Sequence, residues 1–163
     1  EKRTDFAGRM SERLQIDIEP VSTSEECVFN SDIVVTITSA REPVFKGDSL
    51  KQGAHVNAAG SNHWMRAEID EITISRSSLI VVDDLEQAKV ECGDLLSAEA
   101  RGTFRWDMAQ ELRDVIGGRI SGRSSNDNIT LFESMGVALE DIAAAQFVYH
   151  KAVEQGVGQQ LPF

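Results

Sequence analysis

The stretch Asp32-Ile33-Val34-Val35-Thr36-Ile37-Thr38 constrains the fold of this chain more than any other. It is a nearly unbroken β-branched run, the pattern expected of a central parallel strand buried on both faces. Ala54–Ala59 (AHVNAA), closed by Gly60, reads as a second strand, and Leu79-Ile80-Val81-Val82-Asp83 as a third. Between the second and third lies a polar segment from Glu68 to Arg76 that reads as helix. Strands alternating with helices predict an α/β fold built on a parallel sheet.

The flanking segments extend that pattern. Residues 4–14 place Phe6, Met10 and Leu14 four apart on one helical face. Gln15–Val21 (QIDIEPV) alternates as a short strand should. Ser22-Thr23-Ser24-Glu25 fits a capping box with Ser22 at the N-cap and Glu25 at N3, opening a short helix to about Phe29. Leu85–Leu96 reads as helix and loop, Gln110–Ile116 as a helix closed by Gly117-Gly118, and Ile129–Phe132 as a last strand. Val137–Val153 is a long helix, apolar over much of its circumference, which implies burial against something.

Composition narrows the function classes. The 163 residues carry a formal charge of −11 and a pI near 4.7, so nucleic acid and anionic membrane surfaces would repel the chain. Cys27 and Cys92 form no CxxC pair, and no histidine is spaced to complete a zinc site. A reduced, cytoplasmic protein without a membrane span is expected. The start, Glu1-Lys2-Arg3-Thr4-Asp5, is neither a signal peptide nor a methionine, which suggests a processed or truncated chain.

In open parallel sheets, ligands bind beyond the carboxyl ends of the strands. That rule selects Thr36, Thr38, Ser39 and Ala40 after the first strand, Asn57 to Asn62 after the second, and Asp83-Asp84 after the third. Gly60 either admits a ligand closely or supplies a turn with positive φ. His63 is either a general acid–base group or, more often for such a residue, a surface histidine. Asp84 is better read as a helix N-cap than as half of a metal site, because adjacent carboxylates on a strand point apart. The loop Arg123–Asp127 either holds a phosphate or sugar or is only a turn. No GxGxxG fingerprint, Walker loop or GxSxG elbow is present.

Three tracts carry a family resemblance. Ser31–Ser39 (SDIVVTITS) is similar to the "ADIVVTATS" strand of the ornithine cyclodeaminase/mu-crystallin family. Leu50–Asn62 (LKQGAHVNAAGSN) resembles its "LKPGAHVNAVGS" signature. Gly122–Gly136 (GRSSNDNITLFESMG) resembles "GRTSDDEITLFKSLG", and Ala138–Asp141 continues it as "ALED". The tracts fall in the family's order over most of the chain.

The resemblance implies an incomplete Rossmann-like parallel sheet with flanking helices. Residues 1–136 would be a partial NAD(P)-binding domain whose first strands and glycine-rich loop lie upstream, and 137–163 a helix that returns to pack in a longer, homodimeric protein. NAD or NADP is the implied cofactor, and a small amino or imino acid the implied substrate. Carried over by position, Thr38 matches a cofactor contact, and Ala59, Gly60, Ser61 and Asn62 match the turn beside the nicotinamide. Arg66 stands where cyclodeaminases have a cofactor-contacting lysine, and Asn128 and Ile129 match positions near cofactor and substrate. Asn62 also occupies the place of the cyclodeaminases' catalytic aspartate, and an amide cannot exchange a proton as a carboxylate does. Imine reduction or amino-acid oxidation is therefore expected ahead of ornithine cyclisation, because the cofactor carries that chemistry. The alternatives are a mu-crystallin-type binding protein without turnover, or an inactive fragment.

Overall fold

The structure, a computed structural model, describes residues 2–162. Five parallel strands form one sheet: β1 (Ile33–Thr36), β2 (His55–Ala58), β3 (Ser77–Val82), β4 (Ala109–Glu111) and β5 (Ile129–Glu133), in the order β1-β2-β5-β3-β4. The chain runs outward from β2 to β3 and β4, then returns to insert β5 between β2 and β3. The expected α/β architecture with a parallel sheet is observed.

One face of the sheet carries the core. Val34, Val56, Ala58, Leu131, Ile80 and Val82 are buried there. They pack with side chains of α3 (Glu71–Arg76), α4 (Leu85–Glu91) and α5 (Gly93–Ala100), among them Ile74, Ala88 and Leu95. Each of the first two helices starts on an aspartate. Asp70 accepts from the Thr73 amide at 2.8 Å, and Asp84 from the Gln87 amide at 2.8 Å, satisfying donors the helix leaves free. Asp84 is thus the N-cap expected, and among the described residues no group of three or more His, Cys, Asp or Glu is placed to hold a metal. Among the same residues no helix is long and apolar enough to cross a membrane.

The opposite face is only partly covered. α6 (Leu112–Ile116) leaves a cavity of about 320 Å³ against β2, β3 and β5, lined by Asn57, Val81, Leu112, Val115 and Phe132 among others. Farther along that face, Ile33 and Val35 of β1 are 64% and 63% exposed. Among the described residues the run Asp32–Thr38 forms a four-residue strand that pairs with β2 on one side and buries Val34 and Thr36 on one face; its other side and other face have no described neighbour.

Other expectations also shift. Gln15–Val21 pairs with no strand among the described residues, and Ile16 is exposed. α1 (Lys2–Leu14) forms as expected but buries only Ala7. The capping box of α2 (Ser24–Val28) uses Thr23 and Glu26 rather than Ser22 and Glu25, with Thr23 Oγ1 accepting from the Glu26 amide at 3.1 Å. The segment expected as a helix from Gln110 is split, since Ala109–Glu111 joins the sheet beside β3 before α6 begins. Leu85–Leu96 spans two helices broken at Cys92. The last helix, α7 (Ala138–Gln155), is one residue later at its start than expected and buries none of its side chains; Leu139, Ile142 and Tyr149 are all exposed.

Candidate functional site

The carboxyl ends of β1 and β2 lie side by side because these strands pair in parallel, Val35 with Asn57 and Thr36 with Ala58. The pairing continues one step further, the Ala59 amide donating to the Thr36 carbonyl at 2.9 Å. Beyond it the two chains turn away as Ile37–Ala40 and Gly60–His63. Thr38, Ala59, Gly60, Ser61, Asn62 and Arg66, all selected from sequence, meet in this region.

Gly60 is needed for proximity. Its φ is not positive, so the turn alternative fails. A Cβ there would lie 2.5 Å from both the Thr38 nitrogen and Glu68 Oε1, and closer still to the Thr38 carbonyl oxygen. Only a residue without a side chain lets the two turns approach this closely.

Behind the turns stands a buried polar cluster that the sequence did not reveal. Glu68 is fully buried, and its carboxylate accepts from Thr36 Oγ1 at 2.9 Å, from the Gly60 amide at 2.7 Å and from the Thr38 amide. Asp94 in turn accepts from the Glu68 and Ile69 amides at 2.9 and 3.2 Å, and its second oxygen has no partner. Glu133, at the end of β5, accepts from Ser61 Oγ at 3.1 Å and from Cys92 Sγ at 3.6 Å; its other oxygen is likewise unpartnered. Burial dominates their titration. It raises Asp94 to about 6 and pushes Glu133 well above the usual carboxylate range, the charge of Asp94 adding to the latter. The Cys92 thiol is pushed up by the same burial, which keeps it unreactive. Ser61 therefore points into the protein, where it is fully buried, and holds the turn from behind.

On the solvent side, Asn62 and His63 are exposed. Asn62 Oδ1 accepts from Arg66 Nη1 at 2.9 Å, which leaves its amide NH₂ group without a partner among the described residues. His63 Nδ1 accepts from the Met65 amide at 3.2 Å, and the ring stacks on Trp64 at 5.8 Å. Ser39, Arg41, His63, Met65 and Arg66 line a shallow hollow of about 350 Å³. Two guanidinium groups and an imidazole converge there in a chain of net charge −11, giving a local preference for anions or electron-rich groups.

Asn128 and Ile129 do not join this region. They precede β5, at the level where His55 begins β2, so they sit at the amino ends of the strands. About six residues of strand rise, roughly 20 Å, separate that level from Gly60. Ile129 is buried, and Asn128 accepts from Ser124 Oγ at 2.8 Å. The loop before them is tied down by Arg123, which donates to the Gly53 carbonyl and to Thr130 Oγ1, so it behaves as a structured turn. His55 is also occupied internally, with Nδ1 2.7 Å from Thr130 Oγ1.

Asp94 lies within a helix and Glu68 beside a helix cap, and nothing in their spacing separates them from surface carboxylates. Glu133 had a signal: it stands where the family tract quoted above has lysine, a charge reversal within an otherwise matching strand.

Residues 1–156 match the model of the ornithine cyclodeaminase/mu-crystallin family. A Delta(1)-pyrroline-2-carboxylate reductase from Bacillus cereus is 37% identical over 164 residues, covering all of this chain and 50% of the relative. The solved Delta(1)-pyrroline-2-carboxylate reductase of Thermococcus litoralis, in complex with NADH and L-proline, superposes with a TM-score of 0.90 at 38% identity, covering 97% of this chain and 49% of that one. An archaeal alanine dehydrogenase dimer with bound NAD superposes at 0.83 with 34% identity, over 98% of this chain and 49% of that one. The chain spans about half the length of the curated relatives it matches.

Proposed function

Because the chain belongs to the ornithine cyclodeaminase/mu-crystallin family, we propose that the full-length protein is an NAD(P)-dependent oxidoreductase that reduces a small imino acid to the amino acid, or runs the reverse oxidation. The observation that carries this reading is the pair of turns at the ends of β1 and β2, with the Asn62 carboxamide exposed and its NH₂ group free. In this reading residues 1–136 are part of the NAD(P)-binding domain, and 137–163 pack elsewhere in a homodimer that works in the cytoplasm. The uncovered faces of α7 and β1 are consistent with further protein against them.

The residues present suit a nicotinamide. Gly60 and Ala59 keep the turn low, Thr38 is exposed beside it, and Asn62 and Arg66 supply polar groups on the open side. When bound, the cofactor supplies the hydride. The chain's own part is to bind and orient. Asn62 donates a hydrogen bond to a carboxamide or substrate oxygen, and Arg66 fixes its orientation by holding Oδ1. An imine nitrogen that arrives protonated needs no acid at this position, which fits an amide where cyclodeaminases have a carboxylate. Reduction places hydride on the imine carbon and leaves the proton on nitrogen.

The amide also favours a second reading, a cofactor-binding protein without turnover. Steady-state assay of the full-length protein with NADH and NADPH against cyclic and linear imino acids separates the two. Consumption of reduced cofactor that depends on the imino acid supports the oxidoreductase. Tight cofactor binding with no consumption on any of them supports the binding protein.

A further inference from the structure

We propose that Glu68 is the positioning residue that sets the distance between the Thr38 and Gly60 turns; this rests on the functional reading above, in which those turns face the cofactor. One carboxylate takes three donors from two different strand ends: Thr36 Oγ1 at 2.9 Å, the Gly60 amide at 2.7 Å and the Thr38 amide. Glu68 is itself immobilised. Its amide donates to Asp94 at 2.9 Å, and its carbonyl accepts from the Val44 amide at 2.9 Å. It is fully buried, so it does not touch substrate or cofactor.

The need for such a clamp follows from the strand ends. The regular pairing of β1 with β2 stops at Thr36. Past that point the Thr38 and Gly60 amides have no strand partner, and both are satisfied by the same carboxylate. Gly60 lacks a side chain so that the two turns can close to this spacing, and Glu68 holds them there. Charge-assisted bonds of this kind are roughly twice as strong as neutral ones.

Glu68→Gln tests the idea while keeping the side chain's shape. Oε1 faces the Thr38 amide and Oε2 faces the Gly60 amide. Whichever position the amide nitrogen takes, an N–H then confronts an N–H, and one bond is lost to repulsion. In the full-length protein we expect kcat/KM to fall roughly 10- to 100-fold, mostly through kcat, as for a misplaced reacting pair. The amide proton resonances of Thr38 and Gly60, displaced downfield by the carboxylate, are expected to move upfield. Ile80→Ala, a core truncation in β3 away from the turns, serves as the control for lowered stability. Should Glu68→Gln fail to fold, Thr36→Val removes one donor at nearly constant shape, and a few-fold loss of kcat/KM with shifted Thr38 and Gly60 resonances is expected.

If wild-type protein neither binds nor oxidises the cofactor, the functional reading falls and this proposal falls with it. If wild-type protein is active while Glu68→Gln retains full kcat/KM and unchanged resonances, positioning by Glu68 alone is overturned. It is also overturned if Ile80→Ala, at a matched melting temperature, loses as much activity. For Thr36→Val, unchanged kinetics and resonances overturn it as well.

Discussion

Substituting Gly60 by alanine perturbs fold and site together. The added Cβ would sit 2.5 Å from the Thr38 nitrogen and from Glu68 Oε1, and nearer to the Thr38 carbonyl oxygen. Two of these three atoms are backbone, so no rotamer change relieves the contact. The turn must back away from β1, and the 2.7 Å bond from the Gly60 amide to Glu68 lengthens or breaks. Overpacking of a tight site costs about 1–3 kcal/mol, and loss of a hydrogen bond to a charged group about 1.5–3 kcal/mol. Because the backbone relaxes partly, the two do not add fully, and we expect a net loss of about 2–4 kcal/mol. Urea denaturation of the full-length protein, with and without NADH, measures it. The variant should unfold at lower urea with an unchanged slope, and its cofactor dissociation constant should rise at least tenfold, about 1.4 kcal/mol. A midpoint shift worth less than about 0.5 kcal/mol, within the range of an ordinary surface change, together with unaltered cofactor affinity, would refute the close-approach argument.

Three further outcomes follow from other parts of the structure. Asp94 titrates near 6 in the fold because it is buried, against 3.8 when ordinary. Its protonation therefore stabilises the fold by about 3 kcal/mol, fully below about pH 3.8 and lost as pH rises through about 6. Asp94→Asn, compared with wild type by thermal melts from pH 4 to 7, should flatten the stability profile in that window, and an unchanged difference curve would contradict the assignment. Asp84→Ala removes the N-cap of α4 and should lower stability by about 1 kcal/mol, read by urea denaturation, without altering cofactor affinity. Asn62→Ala should reduce kcat/KM roughly 10- to 100-fold, about 1.4–2.7 kcal/mol, with the melting temperature unchanged because the side chain is exposed.

The strands and their parallel arrangement were legible because β-branched runs alternating with capped helices allow few other folds. The place of β5 was not: Ile129–Glu133 has a shorter apolar run than Asp32–Thr38, yet among the described strands it stands at the centre with all but Phe132 buried. Gln15–Val21 alternates as a strand should, and among the described residues it has no strand to pair with, which alternation alone cannot provide. The strand-end rule and the family tracts both select Thr38 and residues 59–62, and the structure brings these together at the ends of β1 and β2. Asn128 and Ile129 were matched by tract alone, and the parallel direction of β5 places them at the other end of the sheet from those turns. Glu68, Asp94 and Glu133 escaped because a buried carboxylate is recognised by its donors, which arrive from segments up to 72 residues away, as Ser61 does for Glu133.

Transfer of label reads the proposed hydride step itself. The full-length protein, supplied with NADH or NADPH carrying deuterium at the transferring carbon of the nicotinamide and with a panel of cyclic and linear imino acids, should form from at least one of them an amino acid with deuterium on Cα, detected by mass spectrometry. Asn62→Ala should slow that transfer without abolishing the fold. Tight binding of the reduced cofactor with no label in any amino acid formed from the tested imino acids would contradict the account.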